Sequence, residues 1–320
     1  MKRYRWIFWA IGAASAVLAV RFAFRFPWTP TLQALRGADL ALLSAAGVAS
    51  LGSLVAKGWA WHLLLRRAWP HGWWDAQAAT LVGSAVSTVS VSVGGEAARL
   101  QTLAARREPP LGTTVSSVVW SRITEAIALA VFLAGSLLLL PPGPWTRAAR
   151  ISALVGAGVL CALWATGAWR RIFHRLPERW RAAAGIGSAT GTPPLLAPVL
   201  LGLVNWVLQW IAYHATIVAV GIEASPAAAL TALVAANLGG ILRLTPGNLG
   251  VLQASVVMGL LPFDVHADQA LAAGLALQAV QVVPTVLAAL AVGGVGSLRP
   301  AVRTSAAGIE VDSGRGGSGG

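Results

Sequence analysis

Charge is scarce in this sequence, and acidic charge is scarcest. Only 11% of the residues are charged, with 11 Asp and Glu against 24 Lys and Arg. Ordinary soluble domains carry about 25% charged residues, so the chain lacks the polar surface that would cover a water-soluble globule. Cysteine is nearly missing. Cys161 stands alone inside an apolar run, which excludes an intrachain disulfide. The five histidines, His62, His71, His174, His214 and His266, are scattered without metal-ligand spacing, so neither a metal nor another cofactor is expected. A Gly-rich Lys-Ser/Thr phosphate loop is also missing, which argues against ATP-driven work by this chain alone. The formal charge of +13 would suit nucleic acid if the arginines clustered on a soluble face. They fall instead in short loops between apolar runs, and no nucleic-acid partner is expected.

What fills the sequence is apolar. The hydrophobic fraction is 56% and the mean hydropathy is +0.69, which reads as an integral membrane protein. Six runs are long enough to cross about 30 Å of hydrocarbon as helices, near 6–24, 39–65, 114–140, 150–169, 195–222 and 267–296. Barrel strands would alternate apolar and polar residues, and these runs do not. The first run follows the basic start MKRYR and continues without a clean turn and cleavage signal, so it reads as an uncleaved span rather than a signal peptide. Between the runs lie two broken apolar regions, 75–107 and 226–262, each with a Gly-rich interruption flanked by charge. Non-helical backbone at membrane depth is tolerated only inside protein or along a wet cavity. The expected fold is therefore all-α, a polytopic membrane helix bundle of about six full spans plus two broken or re-entrant helical hairpins. If the hairpins cross, the count becomes eight. This membrane domain occupies 1–300, and 301–320 form a polar, glycine-rich, disordered tail.

The basic loops set the orientation. With both termini cytoplasmic, in the cell (inner) membrane, the segments RRAWPHGWW and RRIFHRLPERWR and the C-terminal arginines Arg299 and Arg303 fall inside. Arg25, Arg36, Arg147 and Arg150 fall on or near the outer side and run against the rule. Trp28, Trp69, Trp73, Trp74, Trp145, Trp169 and Trp180 sit at span ends, where indoles anchor at the interface.

Several charges lie where a membrane helix should have none. Glu96 and Arg99 are three residues apart, and so are Arg122 and Glu125, a spacing that puts each pair on one helix face. The order is reversed between the pairs, so antiparallel neighbours would set Glu96 near Arg122 and Arg99 near Glu125. A charge at the centre of a span costs on the order of 3 kcal/mol on insertion scales. Two roles explain the group. One is a self-satisfying ion cluster that fixes how helices pack. The other is a polar cavity in which arginine engages an anionic headgroup through its planar fork. The helix starting after Gly94-Gly95 would add free backbone N–H groups. Arg243 has no acid within four residues and leads into TPGNLG, where Pro246 breaks the hydrogen-bond ladder and Gly247 and Gly250 allow close approach. A re-entrant tip lining the same cavity accounts for this segment, and so does a loop with a snorkelling arginine. Asn205, Gln209, Tyr213, Gln278 and Gln281 read as interhelical hydrogen bonders. Ser84, Ser87, Thr88, Ser90 and Ser92 read as wet lining or small-residue packing.

Three stretches resemble the flippase-like, lysylphosphatidylglycerol-synthase-type transmembrane family over most of the chain. VSVGGEAARLQTLAAR is similar to the family's Gly-x-Glu-x-x-Arg segment at Gly94, Glu96 and Arg99. SSVVWSRITEAIAL is similar to its Glu-Arg-x-x-Asp helix at Arg122, with Ser121 in the first acidic place and Glu125 in the second. LTPGNLGVLQAS is similar to its Pro-Gly-Gly-Leu-Gly-x-x-Glu segment at Pro246, Gly247, Leu249 and Gly250, with Asn248 and Gln253 departing. The resemblance implies translocation of a lipid or lipid-linked anionic headgroup through a polar intramembrane cavity. The binding set would be Glu96, Arg99, Arg122, Glu125, Arg243, Pro246, Gly247 and Gly250. In the synthases this domain is fused to an aminoacyl transferase. The residues after the sixth run hold no room for one, so synthase activity is not carried over. A non-enzymatic transporter of membrane lipids or lipid-linked intermediates is expected, with any modified lipid coming from a separate synthase or transferase. An intramembrane enzyme on a lipid-linked substrate and a structural membrane subunit are the alternatives.

Overall fold

The computed structural model describes residues 28–66, 69–88, 94–107, 111–137, 195–241, 248 and 250–293, with 147, 151, 155 and 158 described singly. These residues form nine α-helices and no strand. In chain order they are α1 (Trp28–Arg36), α2 (Leu40–Leu65), α3 (Trp73–Ser87), α4 (Gly94–Arg107), α5 (Leu111–Ser136), α6 (Leu196–Ala219), α7 (Pro226–Ile241), α8 (Val251–Leu260) and α9 (Ala267–Gly293). A short 3-10 turn, Leu261–Phe263, extends α8. Helices α2, α5, α6 and α9 are long and apolar enough to cross a membrane. They answer to four of the six expected runs. Run 6–24 lies outside the described residues and 150–169 almost wholly so, as does the tail 301–320. Helix α1 packs on α9 and was not expected as an element; its Thr31 is buried, and the hydroxyl donates to the Asp268 carbonyl.

Local chemistry sets the ends of α2 and α8. Asp39 caps α2 by accepting from the backbone N–H groups of Ala41 at 2.8 Å and Leu42 at 3.2 Å. The Gln253 carbonyl accepts from the Gly250 N–H at 2.8 Å and secures the start of α8. Asn248 has φ 55° and Gly250 φ 82°. Both are left-handed positions that glycine adopts freely and asparagine tolerates.

Helices α5 and α6 run antiparallel to α2 and α9. On one face of the bundle the end of α2 meets the starts of α5 and α6 through Leu64, Trp120 and Leu195. Arg106, near the end of α4, reaches Asp75 on α3 at 4.0 Å and the Val292 carbonyl on α9. On the opposite face the Asp39 N–H donates to the Ala219 carbonyl at 2.8 Å, joining the start of α2 to the end of α6.

Two helical hairpins are set into this frame. The α3–α4 pair starts and ends at the first face, and the α7–α8 pair starts and ends at the opposite face. With 15, 14, 16 and 10 residues, the described parts of their helices span about 15–24 Å at 1.5 Å per residue, against the roughly 30 Å of a hydrocarbon core. Helix α9 packs against both hairpins, through α3 and α8.

Small residues close the hairpins. A Cβ on Gly83 would sit 2.7 Å from both Arg99 Cβ and the Gly95 carbonyl oxygen, and one on Gly95 would sit 2.7 Å from the Gly83 carbonyl. In the second hairpin a Cβ on Gly259 would lie 2.7 Å from Ala232 Cα. Such contacts let backbones approach closely without a hydrophobic drive. Gly83→Val and Gly259→Val should each cost about 1–3 kcal/mol through overpacking. Gly135, with nothing within 4 Å of its Cβ position, should accept alanine within about 0.5 kcal/mol. Thermal unfolding of the detergent-purified variants measures this, and equal midpoints for all three would contradict the close contacts.

Candidate functional site

The charged residues of α4 and α5 meet where the first hairpin packs beside α2 and α5. Arg122 joins them. Its Nη1 donates to Glu125 Oε2 at 2.8 Å and its Nη2 donates to Glu96 Oε1. Glu125 Oε1 lies 3.3 Å from Lys57 Nζ on α2 and accepts from the Ser121 hydroxyl at 3.5 Å. Glu96 Oε2 lies 3.7 Å from Arg99 Nη1. The Arg99 guanidinium sits 3.8 Å from the centre of the Trp61 ring, a cation–π contact. The Trp61 indole in turn donates to Ser117 Oγ at 3.1 Å. The result is one alternating chain, Lys57, Glu125, Arg122, Glu96, Arg99, backed by an aromatic ring. Each carboxylate is held between two cations, and the sum over the five groups is +1.

The two arginines have different surroundings. The Arg99 side chain is 4% exposed and Arg122 is 45% exposed. Arg99 is the buried anchor, and its Nε and Nη2 have no hydrogen-bond partner among the described residues. Arg122 is the cation presented outward. It opens onto a cavity of about 600 Å³, within the roughly 300–1,000 Å³ range of ligand sites.

The cavity wall is drawn from most of the bundle. Lys57, Arg122 and Glu125 form its ionic end, and Ser87 and Thr88 come from the end of α3. Asn205, Trp206, Gln209 and Tyr213 line it from α6, Asn237 from α7, and Gln278 and Gln281 from α9. Asn248, from the break between α7 and α8, lines it too. The broken ends of two hairpins that start from opposite faces therefore border one space.

Sequence reasoning expected Glu96, Arg99, Arg122 and Glu125 to gather, and the structure places them together. The pairing differs in one detail. Among the described residues no ion pair within 4 Å joins Arg99 to Glu125; Arg99 lies on Trp61, and Lys57 takes the second place on Glu125. Helix α4 begins at Gly94 itself rather than after Gly95, and Gly95 serves the contact with Gly83. Gly250 is described at the start of α8, exposed and outside the cavity wall. Arg243, Pro246 and Gly247 lie outside the described residues. Asn205 and Gln209 bond each other along α6 at 3.3 Å rather than bridging helices, and both face the cavity. Lys57 and Asn237 were missed, while Asn248 lies in the TPGNLG segment expected to line the cavity. The one signal for Lys57 was a lone cation in the apolar run 39–65. His62 and His71 also come together, Nδ1 to Nε2 at 3.0 Å, but no group of three or more His, Cys, Asp or Glu suited to a metal occurs among the described residues.

The family model described as Lysylphosphatidylglycerol synthase TM region matches residues 7–289. No match was found among curated proteins.

The alternating chain predicts non-additive mutants. Arg122→Ala leaves Glu96 and Glu125 each short of a cation and should lower the thermal midpoint. Adding Glu96→Ala should recover part of the loss, with a coupling of about 0.5–3 kcal/mol. Additive effects in a double-mutant cycle of unfolding midpoints would show that the two side chains are not coupled.

Proposed function

The chain belongs to the lysylphosphatidylglycerol synthase transmembrane family, and from that membership and the site geometry we propose that it is a flippase-like protein that binds an anionic lipid headgroup and carries it across the membrane. One observation carries this reading. A polar cavity of about 600 Å³ lies between the broken ends of two opposed hairpins, with a half-exposed arginine at its ionic end. Intramembrane charges that face a cavity mark substrate pathways by default. Paired broken segments are the arrangement that transporters use around a central site.

In this mechanism the hairpins are re-entrant. The lipid phosphate takes the outward donors of Arg122, competing with Glu96 and Glu125, while Lys57 holds Glu125 in place. The acyl chains remain in the bilayer. Arginine suits the task because its planar fork gives two parallel hydrogen bonds to phosphate. Without cargo the Arg122 donors are shared between the two carboxylates. No covalent step is assigned. An acid or base would have to come from Glu96 or Glu125 among the described residues of the cluster, and both are held between cations. Any modified headgroup would be made by a separate synthase or transferase. The basic loops orient the C-terminus toward the cytoplasm.

Purified protein in liposomes with a fluorescent anionic phospholipid tests this. Wild type should expose inner-leaflet lipid to a membrane-impermeant quencher faster than protein-free vesicles do, with no new lipid species formed. Arg122→Lys keeps the charge but loses the fork. It should slow transport about tenfold, equivalent to roughly 1.4 kcal/mol, while retaining the thermal midpoint. A new lipid species would favour the enzymatic alternative. Stable protein without flipping would favour a structural subunit. A reporter fused at Arg303 should read the cytoplasmic side.

A further inference from the structure

Resting on the transport reading above, we infer that the cargo is a phosphodiester whose headgroup is uncharged and rich in hydroxyls, and that headgroups carrying a cationic amine are rejected. Charge comes first. The cluster holds three cations and two carboxylates, so one positive charge is unmatched. A phosphodiester carries one negative charge and balances it. A phosphomonoester, at about −1.5 to −2 near neutral pH, overshoots. An ammonium group needs a carboxylate, and among the described lining residues the one carboxylate is Glu125. Glu125 is already bound by Arg122 and Lys57, and Glu96 by Arg122 and Arg99. A cationic headgroup would therefore meet a net positive end with no free anion.

The rest of the wall matches hydroxyls. Asn205, Gln209, Asn237 and Gln281 come from three helices and face the same space. An amide carries two N–H donors and an acceptor oxygen; after the Gln209–Asn205 bond and the Asn237 bond to the Leu233 carbonyl, capacity of both kinds remains, complementary to an O–H group that also does both. Trp206 adds a flat apolar surface stacked on Phe132, with ring centres 6.1 Å apart. The Trp206 residue is 9% exposed, and its buried indole N–H has no partner among the described residues. Glycerol, inositol and sugar headgroups share this chemistry when joined through a phosphodiester.

The test uses the wild-type protein with lipids of matched acyl chains. The set is phosphatidylglycerol, phosphatidylinositol, an isoprenyl phosphosugar, phosphatidic acid, phosphatidylcholine and lysyl-phosphatidylglycerol. Transport in liposomes and thermal stabilisation by short-chain forms in detergent are measured in parallel. At least one hydroxyl-rich phosphodiester should move about tenfold faster than the lysyl lipid and stabilise the protein where the lysyl lipid does not. Which of the three leads identifies the source of the headgroup. Ser121→Asp, which cancels the excess charge, should shrink that preference. If no lipid moves yet the stabilisation pattern holds, transport is refuted and the headgroup assignment stands. Equal or greater response to the lysyl lipid, or to phosphatidic acid, overturns the assignment.

Discussion

Hydrocarbon solvates neither a charge nor an unpaired peptide group. That constraint accounts for how this chain gathers its polar residues. Five ionisable side chains on three helices form one connected chain, and the broken ends of two hairpins border the cavity beside it. Neither arrangement is stable alone in lipid. Together they supply each other's partners: carboxylates for cations, a ring for Arg99, and a shared cavity for the amides. The long helices serve this centre. Helix α2 presents Lys57 and Trp61, α5 presents Arg122 and Glu125, and α9 touches both hairpins.

Departures from the resembled motifs follow the same logic. Asn248 stands where the pattern has glycine, in a left-handed conformation that asparagine tolerates. Gln253 stands where the pattern has glutamate, and its amide oxygen still caps α8. Both changes keep the backbone of the second hairpin, and the second of them removes an acid. Ser121 also removes an acid, and its hydroxyl keeps a contact with Glu125. Conformation is preserved while the electrostatic balance moves positive, in the direction the proposed headgroup preference requires.

Much of the fold was legible because hydropathy and membrane thickness leave few options. The described long helices match the apolar runs within a few residues, and both broken regions are helical hairpins. The gathering of Glu96 with Arg122 was legible from their reversed spacing. The Lys57–Glu125 pair and the seat of Arg99 on Trp61 were not, because those partners lie on other helices and no periodicity links them. Tyr213 on α6 and Gln281 on α9 bond across helices as expected, while Asn205 and Gln209 were misread for a related reason. Sequence shows that Asn205 and Gln209 share a face of α6 but not whether that face meets a helix or a void. Arg243, Pro246 and Gly247 remain a reading of the sequence alone.

The central claim is that the tip of the second hairpin and the ion cluster share one wet, positively biased space. The most direct measurement is the reaction rate of a single cysteine at Asn248, in a Cys161→Ala background, with small anionic and cationic thiol reagents of similar size. Rates are normalised to a free thiol and compared with those of a bulky reagent. The account predicts that the anionic reagent reacts faster than the cationic one and that the bulky reagent reacts slowly. Fast labelling from one side, independent of charge and size, would show an ordinary exposed loop and contradict it.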